Sequence, residues 1–252
     1  MIKVGVIGAI GKMGAQVVKA VIEDKELELC CAVDKFRIGE NVYQEIAIEG
    51  DIKKALELTQ PSTIFDNIQI YLDTKTKAVI GTTGLSNMQL QEIEKKSKET
   101  SVGIIIAPNF SIGAILMMKF AAMASKYFSN AEIIEFHHNQ KKDAPSGTSI
   151  KTAQLMIQNN DNFKLGNCAE TETIKGARGG NYEEDNKGNI QIHAVRMPGF
   201  VASQEVIFGA DGQILKIHHD TINRECYMSG VILAIKHLYK NNNFIYGLEN
   251  IL

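Results

Sequence analysis

The 252-residue chain contains no CxxC pair, no basic tract and no long apolar run. Its four cysteines, Cys30, Cys31, Cys168 and Cys226, match neither a zinc module nor a disulfide framework. They read as reduced packing residues of a cytoplasmic protein. No HExxH pattern accompanies them, so no metal site is expected. A formal net charge of -2 gives no reason to expect a nucleic-acid partner. No apolar stretch reaches the roughly 18 residues that a membrane span needs. The opening MIKVGVIGAIGKMG is broken by glycine and lacks a small-residue cleavage pattern, so it reads as a structural element and not a targeting segment.

What is present is ordinary globular patterning, with 44% hydrophobic residues and a length that suits one large domain or two modest ones. Lys3 to Ile7 predicts a strand, Gly11 to Asp24 a helix and Glu28 to Val33 a second strand, which together open a parallel sheet. The stretch 36–60 offers no clear period; Leu56 to Thr59 predicts a short strand and Ser62 to Thr74 a helix. Further strands are predicted at Lys77 to Ile80 and Val102 to Ile106, with a helix from Leu85 to Thr100 between them, capped by Ser86. The character then changes. Helices from Ser111 to Tyr127 and Gly147 to Asn159 alternate with strands at Glu132 to Phe136, Ile190 to Val195, Glu205 to Phe208 and Gln213 to Ile217. A last helix, Arg224 to Tyr239, is expected to return to the first domain. The expected fold is α/β: a Rossmann-like parallel sheet from residues 1–109 and 220–252, and an α+β domain for substrate and oligomerisation from 110–219.

Two segments carry chemistry. Gly8-Ala9-Ile10-Gly11-Lys12-Met13-Gly14 follows the first strand as G-x-x-G-x-x-G. Glycines allow the backbone to turn tightly and approach a pyrophosphate, and the following helix start offers bare N–H groups. Asp34 lies 20 residues past Gly14 at the end of the second strand, where a carboxylate bonds ribose hydroxyls. Lys35 beside it suits a 2′-phosphate, so NADH and NADPH both remain open. Gly81-Thr82-Thr83-Gly84 and Ala107-Pro108-Asn109-Phe110 end later strands, also a position for ligands in an open sheet.

The second segment is Glu135-Phe136-His137-His138-Asn139-Gln140-Lys141-Lys142-Asp143-Ala144-Pro145-Ser146-Gly147-Thr148. It leaves a strand, crosses a polar loop and enters a helix whose first amides, at Gly147 and Thr148, form an anion site. Lys141 adds a cation and the histidines add groups that titrate near neutral pH. Ser146 reads as a cap, since no G-x-S-x-G elbow surrounds it. Paired histidines also occur at strand ends for no chemical reason, and His218-His219 is read that way.

These segments resemble the 4-hydroxy-tetrahydrodipicolinate (dihydrodipicolinate) reductase family, whose pattern E-x-H-H-x-x-K-x-D-A-P-S-G-T runs from Glu135 through Thr148. The glycine turn, Val79 to Gly84 and Ala107 to Ser111 also fit in family order, and the wording HHNQKKDAPSGT with Gly176 to Gly179 is similar to cyanobacterial members. The resemblance implies NAD(P)H-dependent reduction of a cyclic imine dicarboxylate on the diaminopimelate route to lysine, by a cytoplasmic homotetramer built through the second domain's sheet. It implies His137 as proton donor and acceptor and Lys141 as a second proton donor. His138, Gly147 and Thr148 would bind substrate carboxylate. Gly8, Ala9, Ile10, Gly11, Lys12, Met13, Asp34, Lys35, Gly81, Thr82, Thr83, Ala107, Pro108, Asn109 and Phe110 would contact the cofactor. The chain departs from the family in a shortened segment 36–60, in Glu57-Leu58-Thr59 for an acid-Phe-Thr strand end, and in Lys12 for a commoner arginine. The expected chemistry places the reaction in a cleft between domains, with hinges near Phe110 and His219. A semialdehyde dehydrogenase and a nicotinamide sensor stand as competing readings, although neither gives the His137–Lys141 loop a task.

Overall fold

The computed structural model describes residues 1–34, 36–43, 46–49, 64–82, 84–160, 162–163, 173–174, 176–184 and 187–252. The chain divides into two units, Met1–Ile112 with Arg224–Leu252, and Gly113–Asn223. In chain order the elements begin with β1 (Ile2–Ile7), α1 (Gly14–Glu23), β2 (Leu27–Val33), β3 (Asn41–Tyr43), β4 (Ile46–Glu49), α2 (Ile64–Asp73), β5 (Ala78–Ile80), α3 (Asn87–Thr100) and β6 (Ile104–Ile106). They continue with α4 (Ile112–Ala124), β7 (Asn130–His137), α5 (Gly147–Asn159), β8 (Gly180–Glu184), β9 (Lys187–Arg196), β10 (Ala202–Ala210) and β11 (Gln213–Thr221). The chain ends with α6 (Met228–Lys240) and β12 (Phe244–Tyr246).

In the first unit the strand order is β1-β2-β4-β3 in one sheet and β12-β6-β5 in another. All the pairings are parallel except that of β3 with β4. Parallel strands lie under helices and are apolar throughout, and β6 accordingly reads Ile104, Ile105, Ile106, all buried. Helix α1 buries Val18 and Val21 against Val4, Val6, Leu27 and Leu29. Helix α3 starts in a capping box, with Ser86 accepting from the Gln89 amide while the Gln89 side chain takes the Ser86 amide. The last helix, α6, is fastened to this unit by Lys77, whose ammonium donates to the carbonyls of Leu238, Tyr239 and Asn241 at 2.8, 3.0 and 3.1 Å. These carbonyls lie at the end of α6, where a cation is favoured, and that of Leu238 also accepts the Asn241 amide at 3.3 Å.

Three features differ from the sequence expectation. The first helix begins at Gly14 and not Gly11, so Lys12 and Met13 belong to the turn. The stretch after Asp34 holds the short strands β3 and β4, which have too few residues to show a period. The expected strand at Leu56 to Thr59 lies outside the described residues. A terminal strand, β12, follows α6 and pairs with β6, and it too is only three residues long.

The second unit is a five-stranded sheet in the order β11-β10-β7-β9-β8. β7 pairs with β9 in parallel and with β10 in antiparallel fashion. Strand β8 extends the edge beyond β9, which the sequence pattern did not show. Helix α5 packs on the sheet through Ala153, Met156 and Ile157, against Ala131, Ile133, Ile192, Val206 and Phe208. The period of two along β7 carries Ala131, Ile133 and then Glu135 to buried positions. A polar clamp joins α5 to β10: Ser149 Oγ donates to Gln204 Oε1 at 2.9 Å, and Gln204 Nε2 donates to Thr152 Oγ1 at 2.8 Å. Gln204 is buried, so removing its amide leaves hydroxyls in a dry site. Gln204→Leu is expected to cost about 1–3 kcal/mol in chemical denaturation. It should also speed hydrogen exchange in the first turns of α5 ahead of the rest of the unit.

Candidate active site

In the first unit the glycine turn is built by steric exclusion. Gly8 has φ 76°, a left-handed conformation that favours glycine. A Cβ on Gly14 would fall 1.9 Å from the Gly8 carbonyl oxygen, so that close approach admits no side chain. The Gly8 and Ala9 amides donate to the Val33 carbonyl, and the Gly11 amide to the Gly8 carbonyl. Asp34 is buried and each of its oxygens takes one amide, Ile10 N and Phe36 N, both at 3.2 Å. Asp34 therefore holds the turn, whatever it does for a ligand. The Lys12 and Met13 amides have no partner among the described residues, and α1 has no side-chain cap. The arrangement is a cradle of bare amides at a helix start, which fits the diphosphate of a dinucleotide.

The later turns lie at the ends of β5 and β6. Gly81 sits under the Phe110 ring, where a Cβ would come 3.0 Å from Cε2. Asn109 Oδ1 accepts the Ser111 amide at 2.8 Å, which fixes the Asn109 side chain against its own turn. Ala107 and Phe110 are buried and Pro108 is exposed. Thr82 lies beside Gly81, while Lys35 and Thr83 fall outside the described residues.

The second unit brings the other expected residues together at the end of β7. There His137 stands in register with Arg196 on β9 and Ala202 on β10. Its Nδ1 lies 2.5 Å from Glu135 Oε2. The other carboxylate oxygen, Oε1, accepts Arg196 NH2 at 2.7 Å and the Ser146 amide at 3.2 Å. Arg196 also donates to the Asp143 carbonyl at 2.8 Å. Burial alone would raise the Glu135 carboxyl, but the His137 and Arg196 contacts outweigh it and hold the group below its ordinary value. Lys141 pairs with Asp143, 2.8 and 2.7 Å to the two oxygens, and that bond, chiefly, lowers the Asp143 carboxyl.

Helix α5 begins directly after this loop. Ser146 is its N-cap, accepting from the Ser149 amide at 3.2 Å. The amides of Gly147 and Thr148 have no partner among the described residues, and a Cβ on Gly147 would meet open space. His138 keeps a buried Nδ1 with no hydrogen-bond partner among the described residues. The ensemble offers an imidazole, an ammonium and two open amides, which can give protons and hold an anion.

Sequence reasoning assigned Glu135, Arg196 and Asp143 no part in this site. The alternation of β7 already placed Glu135 on the same face as His137. Arg196 carried no local signal, since it joins only through the pairing of β7 with β9.

Comparison with known proteins bears on the whole chain. The family model described as "Dihydrodipicolinate reductase, N-terminus" matches residues 2–110, and "Dihydrodipicolinate reductase, C-terminus" matches residues 113–252. The chain belongs to the dihydrodipicolinate reductase family. It is similar to the 4-hydroxy-tetrahydrodipicolinate reductase of Syntrophomonas wolfei, 45% identical over 99% of this chain and 98% of the relative. The enzyme of the same name from Listeria innocua is 42% identical over 99% of each. A solved structure of dipicolinate-bound dihydrodipicolinate reductase from Paenisporosarcina sp. TG-14 matches with TM-score 0.87 and 39% identity, over all of both chains. Its 39% identity extends the likeness beyond fold. Family members use NADH or NADPH, and the cradle in the first unit has the form that such a dinucleotide requires. No helix among the described residues is long and apolar enough to cross a membrane.

Two outcomes follow from this geometry. Gly14→Ala must displace the Gly8 carbonyl, so NADPH affinity measured by fluorescence is expected to fall more than about tenfold, a loss of over ~1.4 kcal/mol. The lowered carboxyl of Glu135 stabilises the folded chain above its unfolded value, 4.5, and that stability is lost as pH falls through the lower folded value. Denaturation curves should therefore weaken below about pH 4.5, with a shallower acid slope in Glu135→Gln.

Proposed function

We propose that this chain reduces 4-hydroxy-tetrahydrodipicolinate to tetrahydrodipicolinate with NADH or NADPH, in the diaminopimelate route to lysine. The observation that carries the reading is the meeting of His137, Lys141 and the open amides of Gly147 and Thr148 at one strand–helix junction. The names of the full-length relatives support it. The first unit would hold the dinucleotide through Gly8 to Met13, Asp34, Lys35, Gly81 to Thr83 and Ala107 to Phe110. The second would hold the dicarboxylate. We place the enzyme in the cytoplasm as a homotetramer joined through the second unit's sheet.

The ring hydroxyl leaves as water, before or in step with reduction, and the nicotinamide, when bound, would supply a hydride to the carbon that carried it. Electrons then move towards the ring nitrogen and its neighbouring carbon, and a proton must arrive. His137 gives that proton, with Lys141 as a second donor. The Gly147 and Thr148 amides and His138 hold a carboxylate, with the positive end of α5 behind it. Lys141 reaches the substrate by giving up Asp143, an exchange of one carboxylate for another.

The direct test is a coupled assay with freshly generated substrate, run with NADH and NADPH in parallel. His137→Gln is expected to lower kcat by about 10²–10⁴-fold with cofactor affinity unchanged. Lys141→Ala should lower kcat and raise KM for the dicarboxylate. Wild-type turnover in both variants would remove this loop from the chemistry.

A further inference from the structure

Resting on the reading of His137 as the proton donor, we infer that Glu135 is its positioning residue: the buried carboxylate fixes the imidazole as the Nδ1–H tautomer and leaves Nε2 to exchange the proton. The case stands on how the two carboxylate oxygens divide their partners. Oε1 is engaged by structure, taking the Arg196 guanidinium and the Ser146 amide. Oε2 and His137 Nδ1 lie 2.5 Å apart, out of line for a hydrogen bond as the ring stands, and neither atom has a hydrogen-bond partner among the described residues. A carboxylate held ionised can only accept hydrogen bonds, so these two buried atoms satisfy each other when Nδ1 carries the proton and the ring turns it onto Oε2. Glu135 lies two residues before His137 on one strand, with fully buried side-chain surface, and so holds the ring from a fixed point. The charged group bonded to Glu135 besides His137 is Arg196 on β9, which also donates to the Asp143 carbonyl in the loop, where Asp143 pairs with Lys141. Facing residues on β10 and α5 are Ala202, Gln204, Ser146 and Ser149, none of them charged.

The arrangement makes Glu135→Gln more than a loss of charge. The amide has a single oxygen. Placed at the Oε1 position, it still satisfies Arg196 and Ser146, and the amide NH2 then faces His137 Nδ1 as a donor. The reverse placement would set NH2 against two donors. The substitution therefore turns Nδ1 into an acceptor and moves the proton to Nε2. A histidine in the wrong tautomer is a poor proton relay, as the loss on replacing the aspartate of a serine-protease triad by asparagine shows.

The test uses the full chain with 15N-labelled histidine, His137 being assigned by its absence from the His137→Gln spectrum. At alkaline pH, where neutral imidazole prevails, the wild type is expected to show Nδ1–H and E135Q to show Nε2–H. In the reductase assay E135Q should lose at least about a hundredfold in kcat. Placed on top of His137→Gln, the same change should cost less than about threefold, because the two residues act as a unit. A wild-type ring protonated at Nε2, an unchanged tautomer in E135Q, or an equal loss in both backgrounds would overturn the inference. If E135Q does not fold, Glu135→Asp takes its place in the coupling measurement, with the same outcomes deciding. The tautomer readout needs no substrate. Full activity in His137→Gln would thus count against the proposed proton donor, while the spectra still decide what Glu135 does to the ring.

Discussion

A carboxylate taken out of water costs several kcal/mol unless charges and hydrogen bonds meet it. Glu135 is such a group, with no exposed side-chain surface, and the second unit is organised around meeting it. The guanidinium of Arg196 arrives from β9, the Ser146 amide from the start of α5, and His137 from the same strand. One buried carboxylate thereby ties a strand, its parallel neighbour and a helix N-terminus into a fixed relation. The loop between them cannot slide without leaving an unpaired charge, and that is why a polar segment can hold an imidazole and two bare amides in register.

The first unit solves its problem by the opposite means. There the constraint is emptiness: the Gly8 carbonyl occupies the space where a Gly14 side chain would stand. A buried carboxylate appears here too, but Asp34 is met by two backbone amides. Its bond to Ile10 N draws the turn onto the end of β2. The amides of Lys12 and Met13 are left over because the helix begins only at Gly14.

Legibility follows the range of the interactions. Long periodic segments such as α3 and α5, and the turn chemistry of Gly8, Ser86 and Ser146, depend on neighbours within a few residues and are readable in the sequence. Strands β3, β4 and β12 are three or four residues long, too short for a period of two to register. Helix α1 reads too long because Gly11 to Met13 looks helical until the close approach of Gly8 and Gly14 is known. In the site, His137, Lys141, Gly147 and Thr148 stand out because one short loop contains them. Arg196 does not, since 61 residues separate it from Glu135 and only the sheet brings them together.

The two acids of the loop differ in what breaking their bonds would cost, and the difference bears on the proposed chemistry. Asp143 is largely exposed, and an ion pair of that kind contributes about 0–1 kcal/mol. Lys141 can leave it for a ligand carboxylate at little cost. Removing one partner from a buried pair, by contrast, typically costs about 3–5 kcal/mol, so Glu135 keeps Arg196 and His137 through any such exchange. The loop thus joins one fixed carboxylate, which sets the imidazole, to one exchangeable carboxylate, which keeps the ammonium in place until a dicarboxylate arrives. A site built this way holds its imidazole beside a fixed carboxylate and needs to break only its weakest ion pair to take a ligand carboxylate.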